Sequence, residues 1–173
     1  PAVVIPQNYS YGRQTDGAAT FVIFPEPTPG EANSTPGYSE ILSPPVLSIN
    51  GGFYTNPFNV SLSHPDPNVT IIYTLDGSDP DINNLSGTTY NYKNKYVELP
   101  GQANGPLLQN SFISYSYSTP LSITDRSSQP NDISMISSTY SQTPNYLPTY
   151  NLFKGTVVRA KAFKTGAMPS AIT

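Results

Sequence analysis

Apolar and polar residues alternate with a period of two along three segments of this chain. In residues 58–63 the even positions Phe58, Val60 and Leu62 are apolar and the odd positions are polar. Residues 69–75 repeat the pattern at odd positions, and residues 156–163 repeat it at even positions. Because successive side chains of a strand point to opposite faces, each segment predicts a β-strand with one buried face.

The last of these segments also predicts which of its side chains face solvent. Its apolar positions are Val158, Ala160 and Ala162, which are small and fit a packed interior. Burial of an unpaired charge is costly, so Arg159 and Lys161 are expected on the outer face of the sheet.

Residues 82–152 contain tyrosines that recur at one parity. Tyr90, Tyr92 and Tyr96 form one such set, and Tyr115 and Tyr117 form a second. We predict two further strands here, joined by a loop with Pro-Gly, then a short strand at 121–126 and one helical turn near 130–136. The 19 prolines argue against long helices, because proline lacks the amide hydrogen that a helix requires. The chain is therefore predicted to be all-β.

Two motifs resemble a known family. Residues 71–80, Ile-Ile-Tyr-Thr-Leu-Asp-Gly-Ser-Asp-Pro, are a strand that runs into a turn, and residues 153–163 are a Gly-led strand with alternating small and basic side chains. Together they resemble the C-terminal domain of the chitobiase/β-hexosaminidase family. The resemblance implies an immunoglobulin- or fibronectin-III-like antiparallel β-sandwich, here with a long Tyr-rich insertion. It also implies an accessory module rather than an enzyme.

The N-terminal residues resemble a different domain. Gly-Arg-Gln-Thr-Asp-Gly at 12–17, a strand at 20–24 and Pro-Thr-Pro-Gly-Glu-Ala-Asn at 27–33 are similar to the end of a bacterial lamin-tail-type domain. We predict that residues 1–33 are the C-terminal part of such a domain, that 34–45 form a Pro- and Ser-rich linker, and that 46–173 form the sandwich. Two strands alone are marginal in water, so the first piece is expected to pack on the sandwich or on strands upstream.

The C-terminal end suggests a route to self-association. The family normally continues with one more strand after residue 170, so the last edge strand is expected to be short or absent here. The uncovered edge is either the result of accidental truncation or a template for strand addition by another chain.

Composition and charge exclude several function classes. The net charge is −3 with eight Lys and Arg, whereas nucleic-acid binding normally needs a basic face. No apolar run approaches the roughly 18 residues of a membrane span. Cysteine is absent, which excludes disulfides and thiol catalysis and is compatible with a secreted or cell-surface bacterial protein.

Candidate catalytic groups are few. His64 is the single histidine and lies in a Pro-rich turn, so no Ser-His-Asp arrangement is expected. Glycosidases use two carboxylates that flank the scissile bond, and the catalytic barrel and acid motif of the chitobiase family do not occur in this sequence. We therefore predict that these residues form no enzyme and hold no cofactor.

Asp76, Asp79 and Asp81 form the one carboxylate cluster with metal-like spacing. Hard cations such as Ca²⁺ bind several oxygen ligands, but the spacing does not match an EF-hand loop. The alternative is a purely structural turn in which Asp side chains accept backbone hydrogen bonds. The sequence is compatible with both a cation site and a structural turn.

Tyrosine is the remaining chemical signal, with 13 Tyr and no Trp. Such rings on a strand either form cross-strand pairs, contact a partner protein or stack on sugar rings. The candidate ligand or partner contacts are Tyr90, Tyr92, Tyr96, Tyr115 and Tyr117. The sequence thus predicts a structural accessory module whose partners are neighbouring domains of its polypeptide. The alternatives are a self-assembling fibre or sheath subunit, which binds copies of itself, and a polysaccharide-binding module.

Overall fold

All regular elements in the described part of the chain are β-strands, and their pairs are antiparallel. The computed structural model describes residues 5–93, 96–131 and 148–173. Most of the predicted helical turn at 130–136 lies outside them. The strands are β1 (Ser10–Arg13), β2 (Phe21–Phe24), β3 (Val46–Leu47), β4 (Phe58–Val60), β5 (Leu62–Ser63), β6 (Thr70–Thr74), β7 (Thr88–Lys93), β8 (Leu107–Phe112), β9 (Tyr115–Ser116), β10 (Leu121–Ile123) and β11 (Arg159–Phe163).

Two layers of strands enclose the main apolar core. In one layer β6 lies between β11 and β9. In the other, β3 pairs with β5 and β10 pairs with β4, which directly precedes β5 in the chain. Buried side chains from both layers meet in one cluster of Val60, Leu62, Ile71, Leu121 and Ala160. The chain is therefore a β-sandwich, which confirms the predicted fold class.

The alternation in residues 58–63, 69–75 and 156–163 correctly identifies the faces that meet in the main core. Val60 and Leu62 are buried, and Phe58 packs against them. The odd positions of β6 also join the core, but its even positions Ile72 and Thr74 are 0% exposed as well. β6 is therefore buried on both faces. The sequence pattern does not show this, because alternation of polar and apolar residues predicts only one buried face.

β11 shows the predicted division between its two faces. Ala160 and Ala162 are fully buried, whereas Arg159 and Lys161 on the opposite face are partly exposed. The Lys161 ammonium lies 5.6 Å from the centroid of the Phe163 ring. The two cations thus keep contact with solvent and with neighbouring groups, as the cost of burying charge requires.

The N-terminal hairpin is joined to the sandwich through residues 38–42. β2 buries Ile23 and Phe24, and Ile23 exchanges two backbone hydrogen bonds with Tyr38, of 2.8 and 2.9 Å. The Ser39 amide then donates to the Gly166 carbonyl at 3.1 Å, and Leu42 is buried against Ala162 and Ala167. The segment predicted to be a linker therefore contains residues that are hydrogen-bonded and buried.

Gly37 makes the close approach of this segment to β2 sterically feasible. A Cβ atom at this position would lie 2.2 Å from Cγ2 of Val22. The Gly37 amide donates to Oε1 of Gln14 at 2.8 Å, and Nε2 of Gln14 donates to the Thr35 carbonyl at 3.0 Å. A residue without a side chain is required here because van der Waals overlap would otherwise separate the two segments.

The edge of β11 is covered, contrary to the expectation of a bare edge. Ala160 and Thr173 exchange backbone hydrogen bonds of 3.1 and 3.0 Å, and the Ser170 amide donates to the Ala162 carbonyl at 3.1 Å. The hydroxyl of Ser170 accepts from the Ala162 amide at 2.9 Å. Residues 170–173 thus satisfy the backbone groups that an uncovered β11 would offer to another chain.

Lys164 connects three segments at one end of the molecule. Its ammonium lies 2.7 Å from a carboxylate oxygen of Glu40 and 2.8 Å from one of Asp66, in the turn between β5 and β6. The hydrogen bond from Lys164, and after it that from the Asn68 amide, lowers the pKa of Asp66 from 3.8 to about 2. The two carboxylates in turn raise the pKa of Lys164 to about 12.

These shifts predict an acid-sensitive contribution to stability. A carboxyl group whose pKa is lower in the folded state stabilises the fold above its unfolded pKa, and this stabilisation is lost as the pH falls through the folded pKa. We expect the difference in Tm between the wild type and Asp66→Asn to be constant above about pH 5 and to close between about pH 4 and 2. Thermal unfolding followed by circular dichroism at several pH values measures it, with the exposed Asp16→Asn as control. A difference that persists unchanged at pH 2 would contradict the assignment.

Candidate functional site

The Asp-rich turn after β6 is held by hydrogen bonds from its own residues. Oδ1 of Asp76 accepts from the amide and the hydroxyl of Ser78, at 2.9 and 2.6 Å. The hydroxyl of buried Thr74 donates to the Ser78 carbonyl at 2.6 Å. Gly77 has a φ of +86°, which favours glycine. The motif at 71–80 therefore builds an Asx-type turn.

The other two aspartates of the motif have separate partners. Asp79 forms an ion pair with Arg159 of β11, with 2.5 Å between Nη1 and Oδ1, and the same nitrogen donates to the Gly77 carbonyl at 2.8 Å. Asp81 accepts from the amide and the side chain of Asn83, at 2.9 and 3.2 Å. Arg159 thus fixes the turn onto the sheet, while Asp81 closes the next turn.

The three carboxylates of the motif are directed to separate protein partners. No group of three or more acidic, histidine or cysteine side chains that could hold a metal ion occurs among the described residues, which include all three aspartates. The reason is geometric: Asp76 and Asp81 each fold back on the residue two positions later, and Asp79 turns toward Arg159. The structural interpretation of the turn accounts for these contacts.

His64 contacts Ser43, which lies 21 residues earlier in the chain, so no local sequence pattern relates the two. Nε2 of His64 lies 3.1 Å from the Ser43 hydroxyl and 3.0 Å from the Ser43 carbonyl. Nδ1 accepts the Asp66 amide at 3.1 Å, so the proton of a neutral ring resides on Nε2, which donates toward Ser43. In a catalytic triad the histidine accepts the serine proton, whereas here the histidine nitrogen nearest Ser43 is the donor. The carboxylate of a triad contacts the histidine, whereas the Asp66 carboxylate contacts Lys164, so this is not a catalytic triad.

The five candidate tyrosines fall into different environments. Tyr115 and Tyr117 both contact Tyr73 of β6, with ring centroids 5.4 and 6.3 Å apart. Burial, and then the neighbouring phenols of Tyr115 and Tyr117, raises the pKa of Tyr73. Tyr73 and Tyr117 are partly buried and pack against the main core. Packing between strands is thus the role that these contacts support.

The second group lies on one face of the β7–β8 hairpin. Tyr90 is 6.2 Å from Tyr92, its neighbour two residues along, and 6.3 Å from Phe112, measured between ring centroids. The two strands pair residue by residue from Thr88 with Phe112 to Lys93 with Leu107. The strand expected around Tyr115 is instead β9, which pairs with β6. Tyr96 is 50% exposed in the loop between β7 and β8. The sequence thus correctly placed Tyr90 and Tyr92 on one face.

An open groove of about 760 Å³ lies beside this hairpin. Tyr90, Asn110 and Phe112 form one side of its lining, and Phe153 and Lys154 contribute from the segment before β11. Its remaining lining residues are Leu75, Asp76, Ser78, Ser111, Arg126, Pro130, Asn131, Leu152, Gly155 and Val157. The groove combines aromatic rings with hydroxyl, amide and charged groups, which is the composition typical of ligand sites.

The segment that carries Phe153 is joined to Ser127 through Lys154. The Lys154 ammonium donates to the carbonyls of Ser127 and Leu152, at 3.0 and 3.2 Å. The Ser127 amide and hydroxyl in turn donate to Asp125. These two bonds, and then the charge of Lys154, lower the pKa of Asp125. Phe153 itself is 98% exposed, so a fully solvated ring projects from a fixed backbone. The tyrosine pattern of the sequence does not single out Phe153, which is a phenylalanine outside the predicted strands.

Comparison with known families identifies the type of domain. Residues 49–137, which are 89 of the 173 residues, match the model of the chitobiase/beta-hexosaminidase C-terminal domain, and the chain belongs to this family. In that family the domain is a non-catalytic accessory β-sandwich of glycosidases. No curated protein matches the chain, and no solved structure matches it. No helix in the described ranges has the length and apolarity of a membrane span.

Proposed function

We propose that this chain is a structural accessory module of a secreted or cell-surface bacterial protein. The observation that carries the proposal is the engagement of five of the 11 acidic groups: Asp66, Asp79 and Glu40 are in ion pairs, and Asp76 and Asp81 accept turn hydrogen bonds. A general acid or base must be free to contact a substrate proton, and these contacts instead stabilise turns and join segments. Family membership supports the same role.

The experiment is a test of activity and folding on the purified chain. We expect cooperative thermal unfolding without any added ligand, and no hydrolysis of 4-nitrophenyl N-acetyl-β-glucosaminide or β-glucoside above the buffer blank. Hydrolysis that is lost in Asp76→Asn or Asp81→Asn but retained in the exposed Asp16→Asn would overturn the proposal, because contamination would not respond to these changes.

The domain division is part of the same proposal. We assign residues 1–33 to the end of a lamin-tail-type domain, 34–45 to a connecting segment and 46–173 to the sandwich. The turn sequence at 12–17 and the strand β2 support this assignment. Neighbouring domains of the same polypeptide would then be the natural partners, with no role for nucleic acid.

Self-assembly by strand addition is the first alternative function. The observation in its favour is the β7–β8 pair, a two-stranded sheet whose β8 alternates between exposed and partly exposed residues. Such strands have backbone groups that another strand can pair with. Sedimentation velocity at micromolar concentration tests it: large oligomers would favour assembly, and a monomer would favour the accessory role.

Polysaccharide binding is the second alternative, and the groove favours it. Exposed Tyr90 and Phe153 and the polar groups around them form a mixed aromatic and hydrogen-bonding surface. A binding role is compatible with an accessory module, because such a module contributes no catalytic group.

A further inference from the structure

We propose that the groove between the β7–β8 hairpin and residues 152–155 binds a neutral polysaccharide, with Tyr90 and Phe153 as the sugar-stacking rings. The inference rests on the proposed binding role of an accessory module and gives that role a site and a ligand class. The site includes Phe112, Asn110 and Arg126, which the tyrosine pattern alone does not indicate.

Aromatic residues from two segments, the β7–β8 hairpin and residues 152–155, contribute to the groove lining. Tyr90 is 41% exposed, and its ring contacts the ring of Phe112, which helps to hold it in position. Phe153 is 98% exposed, yet its backbone is held by the two hydrogen bonds that Lys154 donates. Leaving such a ring in water brings no packing energy to the fold, whereas the C–H face of a pyranose would cover it. Little ordering is required on binding, because the backbone is already fixed.

Polar groups lie next to these rings at the positions that strand register dictates. Asn110 is the Cα partner of Tyr90 across the hairpin, so both side chains lie on the same face. Oδ1 of Asn110 accepts from the Ser111 amide at 2.8 Å, which orients the Nδ2 donors. Arg126 contributes guanidinium donors to the same groove. Amide and guanidinium groups beside an aromatic face match the hydroxyls at the edge of a sugar ring.

The charges favour a neutral ligand over an acidic one. Arg126 and Lys154 are the cations of the lining and Asp76 is its carboxylate, while the whole chain has a net charge of −3. The Lys154 ammonium already donates to two carbonyls. A polyanion would therefore meet a carboxylate in the lining and an overall negative protein, which disfavours its approach.

The test is affinity electrophoresis of the full chain in native gels that contain hydroxyethylcellulose, xylan or glycol chitin, with alginate as the acidic comparison. We expect retardation by at least one neutral polymer and none by alginate. Phe153→Ala and Tyr90→Ala should each weaken the apparent affinity about tenfold, as loss of a central aromatic contact does. Phe153→Tyr should restore retardation, because a tyrosine ring presents the same face.

Matched controls separate the groove from aromatic exposure in general. Phe53 is also fully exposed but lies outside the groove lining, and Tyr96 is a comparably exposed tyrosine outside it. Phe53→Ala and Tyr96→Ala should retain binding. Equal loss in these controls, retardation by alginate, or no retardation in any neutral polymer would overturn the inference. The last result would leave the accessory role intact if the chain still unfolds cooperatively, whereas glycoside hydrolysis would instead contradict the proposed function.

Discussion

Replacing Ile72 with alanine is expected to lower the free energy of unfolding by about 2–5 kcal/mol. Ile72 is 0% exposed and lies in β6, between Lys161 of β11 and Ser116 of β9. The substitution removes three buried carbon atoms, so their hydrophobic contribution is lost. It also leaves a cavity, because a central strand paired on both sides cannot move to fill the space. Urea unfolding followed by circular dichroism measures the change as a lower midpoint with an unchanged slope.

The matched control for this prediction is Ile82→Ala. Ile82 carries the same side chain but is 39% exposed, so its truncation should change stability by no more than about 0.5 kcal/mol. Equal midpoints for Ile72→Ala and the wild type would show that the second face of β6 is open to solvent, contrary to the structure.

Replacing Phe24 with alanine is expected to shift the unfolding of the whole chain, at a cost of about 3–5 kcal/mol. Phe24 is 1% exposed, and its ring lies against Gly12 of the opposite strand. Its neighbour Ile23 is hydrogen-bonded to Tyr38, from which contacts continue to Gly166. Because the hairpin and the sandwich share this continuous hydrogen-bonded path, we expect them to unfold in one transition. Differential scanning calorimetry measures both the shift and the number of transitions.

Phe21 on the same strand provides the control for Phe24. It is 45% exposed and contacts Tyr11 at a centroid distance of 5.5 Å, so Phe21→Ala should cost much less. The contrary result would be two separate transitions, with Phe24→Ala shifting only one of them. The hairpin would then be an independent unit, and the hydrogen bonds through Tyr38 would couple it only weakly to the sandwich.

The candidate site could be predicted from the sequence only in part. Tyr90 and Tyr92 share a parity, and the pairing of β7 with β8 places them on one face, as expected. Phe153 is more than 60 residues away in sequence from Tyr90, and no local pattern relates the two. Their common groove arises because the segment before β11 returns to the turn after β6, where Asp76 and Val157 form a bridge.

Local pattern by itself determined β4, β5, β6 and β11, the faces that these strands turn to the main core, and the turn after β6, but not β1 or β8. It could do so because side-chain direction alternates along a strand and because Asp and Gly favour turns through their own backbone contacts. Val60, Ile71 and Ala160 are buried as the alternation requires.

Only the tertiary structure decided which segments meet. The pairing of Tyr38 with Ile23, the cover of β11 by residues 170–173, and the contact of Lys164 with both Glu40 and Asp66 join positions far apart in the chain. It also decided which partner each aspartate of the motif contacts: Ser78 for Asp76, Arg159 for Asp79 and Asn83 for Asp81. Such contacts depend on how the two layers pack and on the path of the connections between them, and neither is encoded in the local alternation of residues.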